Sequence, residues 1–297
     1  MEQSLTRLGL NLDLTYILIV AGLIWTRALS VISVIPFLFG KPAPRTTKMG
    51  TSVILTVFMY PILSGQNLSV EGIDMMRLFA LFFKEVLFGL SLGFAVSMIF
   101  YGLEAAGSMI DNQRGVSLAR ILIPELGQQS SISGNFLFQF AAVLFLSIGG
   151  HRLFLKAFAE SYLALPILQF PPSAEGLLPL IDLLGMMTGK VLVISVQLAA
   201  PVIIAILMAD IILGVANRFA PQINVWELGF NIRGYLGVLI LFLSLGFVAT
   251  QIEHYTLEQN KEISAMIELF KEKPPEEPPE EPGSSEPEAP HPVVPSP

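Results

Sequence analysis

The sequence predicts an all-α, membrane-associated chain of about seven to eight hydrophobic helices, several of them broken. Three observations carry that prediction. Of 297 residues, 53% are apolar and only 14% charged, against about 25% charged in an ordinary soluble domain. The mean hydropathy is +0.66. Uncharged runs also recur near the length of about 20 residues that a helix needs to cross a bilayer. The same balance excludes a disordered, collagen-like or nucleic-acid-coating protein, because a phosphate binder needs a basic surface and this chain carries −7. With no cysteine and three scattered histidines, disulfides, thiolate chemistry and cysteine-held metals are excluded, and no metal or other cofactor is expected.

Residues 1–255 form the hydrophobic helical domain. Leu14 to Gly40 is apolar and interrupted only by Arg27; no A-x-A cleavage site follows, so the segment reads as retained. Five runs without a charge come next: Met49 to Val70, Val86 to Leu103, Leu126 to Gly150, Val191 to Ala209 and Gly234 to Ile252. Leu153 to Phe170 is a seventh apolar stretch, carrying Lys156 and Glu160. The basic loop Lys41-Pro-Ala-Pro-Arg45 with Lys48 belongs on the cytoplasmic side by the positive-inside rule. Alternation from it gives seven crossings, with the N-terminus outside and the C-terminus inside. Residues 256–273 form a short polar, amphipathic segment, with a helix expected from Asn260 to Lys271. Residues 274–297 hold six glutamates and ten of the 21 prolines, with no Lys or Arg. Such a tail cannot bury enough apolar surface to fold, and it leaves the rest of the chain near neutrality.

Two short motifs invite an enzymatic reading. Gly89-Leu-Ser91-Leu-Gly93 matches G-x-S-x-G, but a nucleophile elbow sits on a strand-to-helix turn beside a histidine. This serine lies within a helical run, and His151, His254 and His291 lie elsewhere; glycines four apart suit close helix packing. Gly185-Met-Met-Thr-Gly189-Lys190 lacks the four-residue spacing and the following Ser or Thr of a phosphate loop. No catalytic residue is expected.

Polar groups at membrane depth are more informative. Arg27, Lys84, Glu85, Lys190 and Asp210 lie within or beside apolar segments, where a central charge costs about 2.5–3.5 kcal/mol on insertion scales. Each must face protein or water, either in pairs between helices or along a conduit. Lys84 and Glu85 are not expected to pair with each other, since adjacent helical positions point about 100° apart. Ile110-Asp-Asn-Gln-Arg-Gly115, followed by Pro124, Gly127, Gln128, Gln129, Ser130, Ser131 and Gly134, is polar but scarcely charged. It reads either as a re-entrant, pore-facing loop or as an ordinary exposed one. In a second patch, Asp210, Gly214 and Asn217 share one side of a helix. Ala220-Pro221 ends that helix, and a polar corner follows.

These two patches resemble the signatures of the FliR/SctT family, the R- or T-type subunit of flagellar and injectisome type III export apparatus. The likeness rests on Ile110-Asp-Asn-Gln-Arg-Gly115 with Pro124 and Gly-Gln-x-Ser downstream, and on Leu213-Gly-x-x-Asn-Arg-Phe-Ala-Pro-Gln-x-Asn-Val225. It covers about 12–255, including Arg27 with Pro36, Gly149-Gly-His151 and Glu160-Ser-Tyr162. The Asp111-Asn-Gln-Arg form is closer to the injectisome branch, while Ile123 stands where the family commonly has Asp.

The resemblance implies a non-enzymatic subunit of a helical, hetero-oligomeric export gate in the bacterial inner membrane, passing unfolded proteins. It implies P-type and Q-type subunits as partners (R and S in injectisomes), together with the switch-type export subunit, and an acidic tail in the cytoplasm. The family's pore plug maps onto Asp111, Asn112, Gln113, Arg114, Gly115, Pro124, Gly127 and Gln129. Arg27, Lys84, Glu85, Lys190, Asp210, Asn217, Arg218, Pro221, Gln222 and Asn224 are expected to make assembly or intramembrane polar contacts. The alternative on composition is a stand-alone small-solute transporter with broken helices; a hydrolase built on Ser91 is the third class.

Overall fold

The computed structural model describes residues 14–36, 44–64, 74–116, 131–170, 177–222 and 224–268. They form eight helices: α1 Leu14–Val34, α2 Arg45–Ser64, α3 Met75–Gln113, α4 Ile132–Ile148, α5 Gly150–Ala164, α6 Leu177–Phe219, α7 Val225–Leu243 and α8 Leu245–Glu268. The all-α expectation of about seven to eight helices, several broken, is met.

Local chemistry marks the helix ends. Asp74 caps α3 by accepting the Met75 N–H, and Ser131 caps α4 by accepting that of Gly134 at 2.8 Å. Asn224 caps α7 by accepting from Glu227 N, while its amide reaches the Glu227 carboxylate, a reciprocal start signal. Gly149 adopts φ +89°, a left-handed conformation that glycine reaches without strain. It ends α4 and opens α5 at a 74° bend.

The central element is α3, which packs against α1, α4 and α6, while α8 closes over α3, α4 and α5. Glycines on α3 admit its neighbours. A Cβ at Gly89 would stand 2.7 Å from Ser30 Cβ, one at Gly93 2.8 Å from the Val31 carbonyl, and one at Gly102 2.9 Å from Ile194. Gly107 is tighter still, lying directly against the backbone of Ser133 and Gly134. Ser91 Oγ donates to the Leu87 carbonyl within α3, so the G-x-S-x-G pattern is a helix-packing feature. Phe100 joins α3 to α4 through Phe138 and Phe145, at ring separations of 6.0 and 5.3 Å.

Among the described residues, four helical stretches are long and apolar enough to cross a membrane, Thr15–Val34, Met75–Gln113, Leu180–Phe219 and Val225–Leu243; the bent α4–α5 pair makes a fifth if counted as one span. The expected seven crossings are therefore corrected. Arg27 does not interrupt α1, because protein groups surround it. The Leu126–Gly150 run supplies only one arm of the bent pair, and the Gly234–Ile252 run is divided at Ser244 between α7 and α8. Arg45 and Lys48 begin α2 rather than a loop, and Lys48 Nζ donates to the Ser33 carbonyl at the end of α1 at 3.1 Å. The helix expected from Asn260 is the outer part of α8, which runs unbroken from Leu245 and buries Thr256, Gln259, Ile263, Met266 and Ile267.

Candidate functional site

The chain's two polar signatures occupy different places, and a third polar group is built from Arg27, Lys84 and Glu85, which precede both in sequence. At the end of α3, Asp111 is buried and accepts four hydrogen bonds. Ser131 Oγ donates to it at 2.6 Å, Ser133 Oγ at 2.5 Å, Ser133 N at 3.0 Å and Arg114 Nη1 at 3.3 Å. Arg114 Nη1 also reaches Ser133 Oγ at 3.3 Å. Gly115, at φ +83°, turns the chain out of the helix. Asp111 thus clasps the start of α4 to the end of α3. Asn112 and Gln113 end α3, and Arg114 and Gly115 follow as its cap and turn; Pro124, Gly127 and Gln129 lie outside the described residues.

The third group is buried where α1, α3 and the end of α5 meet. Arg27 and Glu85 are both wholly inaccessible. Arg27 forks onto the carboxylate, with Nε 2.5 Å from Oε2 and Nη2 3.0 Å from Oε1, the bidentate geometry that suits a guanidinium. Its remaining donors reach the Ser161 and Leu165 carbonyls at 2.8 and 2.9 Å. Tyr162 lies beneath the guanidinium, 4.2 Å from ring centre to Cζ, and Phe88 lies 5.0 Å away. Lys84 Nζ donates to the carbonyls of Pro166, Ile167 and Gln169 at 2.9–3.0 Å. Those carbonyls follow the last turn of α5, where helical C=O groups lack partners and the helix dipole is negative. Arg27 thus caps α5 through Ser161 and Leu165, while Lys84 holds the turn that follows it.

Here the sequence expectation is corrected. Lys84 and Glu85, though adjacent, do pair, at 2.8 Å. Their Cβ atoms diverge, but both side chains are long and buried, and they bend toward the same cluster instead of out to solvent. Arg27, Lys84 and Glu85, noted separately in the sequence, form one unit.

The remaining intramembrane charges are less buried. Asp210 of α6 pairs with Arg233 of α7 at 2.6 Å, and Lys190 of α6 pairs with Glu258, at 3.0 Å, and with Glu262 of α8. Beside them Tyr255 donates to Gln197 Oε1. Burial, followed by the Glu258 carboxylate, pushes the Tyr255 hydroxyl above its ordinary value, which keeps it a donor. At the α6–α7 corner Asn217, Arg218, Pro221, Gln222 and Asn224 are exposed. Among the described residues, no three His, Asp or Glu side chains come together to hold a metal.

Sequence reasoning missed Ser133, Ser161, Arg233, Glu258 and Glu262. Arg233 was accessible to it: Asp210 lies nine residues before Phe219, the end of α6, and Arg233 nine after Asn224, the cap of α7, so an antiparallel hairpin brings the two level. Ser133 had no comparable signal.

Residues 18–258 match the family described as Bacterial export proteins, family 1. The chain belongs to this family. This is the FliR/SctT family of type III secretion that the two motifs resemble. Relatives include the Yop proteins translocation protein T of Yersinia pestis, 34% identical over 64% of this chain and 71% of the relative. The surface presentation of antigens protein SpaR of Shigella flexneri is 34% identical over 56% of this chain and 63% of its own length. The flagellar biosynthetic protein FliR of Escherichia coli is 26% identical over 77% and 85%. With its four or five apolar spans, this export family member is a multi-pass inner-membrane protein.

Proposed function

We propose that the chain is the T-type, non-enzymatic subunit of a type III export gate, in the injectisome branch. It forms part of the channel that carries unfolded proteins across the inner membrane. The segment from about 111 to 131 closes the resting pore, and the acidic tail faces the cytoplasm. The partners are the P-type and Q-type subunits (R and S in injectisomes), the switch-type subunit and, transiently, the exported chains.

The observation that carries the reading is the Asp111 clasp. It gathers the two ends of an uncharged-to-polar segment between apolar helices, the arrangement a plug needs if it is to stay anchored while its middle is displaced. The identities support the injectisome branch, at 34% with the Yersinia and Shigella proteins and 26% with the flagellar protein. Large exposed apolar side chains on α2, α6 and α7, among them Phe58, Ile212 and Phe242, support burial by lipid and partner subunits.

Deleting Val116 to Gln129 leaves Asp111, Ser131 and Ser133 in the chain. The shortened chain is expected to assemble and to leak ions across the membrane. Assembly with an unchanged, tight membrane would overturn the plug.

Arg218 is proposed to hold a neighbouring subunit. It stands exposed in the last turn of α6 beside exposed Val215 and Phe219. Arg218→Leu should lower recovery of the complex by affinity purification. Normal recovery with lost secretion would place Arg218 on the conduit instead.

A further inference from the structure

We infer that α7 is a positioning element for the Asp111 clasp, acting through Gly237 and Phe230. The inference rests on the plug reading for its functional consequence, and on side-chain geometry for its existence.

A glycine inside a helix costs about 1 kcal/mol relative to alanine, so a buried one invites the question of what occupies the missing side chain's place. At Gly237 the occupant is Arg114. A Cβ on residue 237 would stand 2.6 Å from Arg114 Cδ, 2.7 Å from Cγ and 3.1 Å from Nε. Gly234, one turn earlier on the same helix, has nothing within 4 Å of its Cβ position. The Arg114 stem thus lies in a groove cut for it in α7.

Phe230 makes the second contact. Its ring edge comes 3.4–3.5 Å from the Cβ position of Gly115, the residue at which the chain leaves α3. Residues 230 and 237 are seven apart and share one face of α7. One helix face therefore meets both Arg114 and Gly115.

The hold on the guanidinium depends on this seat. The Arg114 hydrogen bonds to Asp111 and Ser133 are long, each at 3.3 Å. Its Nε is buried without a partner. Among the described residues, these two long bonds are what opposes displacement of the guanidinium. A methyl group at 237 pushes the stem away, and the guanidinium leaves Asp111. α7 in turn packs chiefly on α6 and touches α8 little.

The test uses Gly237→Ala, Gly234→Ala and Arg114→Ala, singly and with Gly237→Ala combined with Arg114→Ala. Each is made in the full chain within the purified export complex, reconstituted in liposomes. Gly237→Ala is expected to raise ion leak about tenfold in assembled complexes, the size of losing one charge-assisted hydrogen bond. It should add nothing once Arg114 is alanine, and Gly234→Ala should leave the leak unchanged. A Gly237→Ala complex as tight as the wild type, while deletion of Val116 to Gln129 leaks, would overturn the inference and leave the plug standing. If that deletion does not leak, the plug reading fails, and thermal midpoints decide the contact. Gly237→Ala must then lower the midpoint with Arg114 present and not with Ala in its place; equal losses in both backgrounds would overturn the inference.

Discussion

Glu85→Gln is expected to prevent the chain from accumulating as a folded membrane protein. Among the described residues, Glu85 is the one carboxylate facing two buried cations, Arg27 and Lys84, with 0% exposure at Glu85 and Arg27 and 8% at Lys84. The cluster carries a net positive charge even in the native protein. Carbonyls at the end of α5 offset that charge as dipoles, while the carboxylate offsets it as an ion. Removing one partner of such a pair costs about 3–5 kcal/mol, because the surviving charge is left uncompensated in a low dielectric. That is a large share of the 5–15 kcal/mol or so by which whole domains are stable. α5 loses its cap at the same time, since Arg27 and Lys84 grip the 161–169 carbonyls from positions that Glu85 sets. The measurement is the amount of monodisperse chain extracted from membranes, with its thermal midpoint. Arg27→Met combined with Glu85→Gln should recover part of the loss, because that pair removes the stranded guanidinium. A Glu85→Gln chain with the native yield and midpoint would show that the cluster is not what holds α5.

The second large effect is expected at Gly107. Where α3 crosses α4, the neighbours of its absent Cβ are backbone atoms of Ser133 and Gly134, which cannot swing aside as a side-chain tip can. Overpacking typically costs about 1–3 kcal/mol, and Gly107→Ala should fall at or above the top of that range. The displacement also carries Ser133 away from Asp111, so the clasp opens along with the crossing. Gly185→Ala and Gly189→Ala on α6 provide the contrast. Nothing lies within 4 Å of their Cβ positions, so in the isolated chain both should be neutral or slightly stabilising through helix propensity. Thermal midpoints of the three variants in one detergent test the difference, and a Gly107→Ala midpoint matching those of the α6 variants would refute the close crossing.

Much of this molecule is legible from local features of its sequence. Long apolar runs specify helices because a backbone at membrane depth must satisfy its own amides. Ala220-Pro221 marks the end of α6, since a proline acts on residues within a turn of itself. The two signature segments were legible too, because polar residues are conspicuous against an apolar background. What only the tertiary structure decided is which of these groups meet. Arg27 finds Glu85 58 residues away and Leu165 138 residues away; Asp111 finds Ser133, Gly107 finds Gly134, and Arg114 finds the gap left by Gly237. Lys84 and Glu85 pair against the rule for helix neighbours because burial, not helix geometry, directs long side chains. Periodicity reports which face of a helix is apolar. The partner of a buried charge, or of a missing side chain, is set by how helices distant in sequence are brought together, and that is a property of packing.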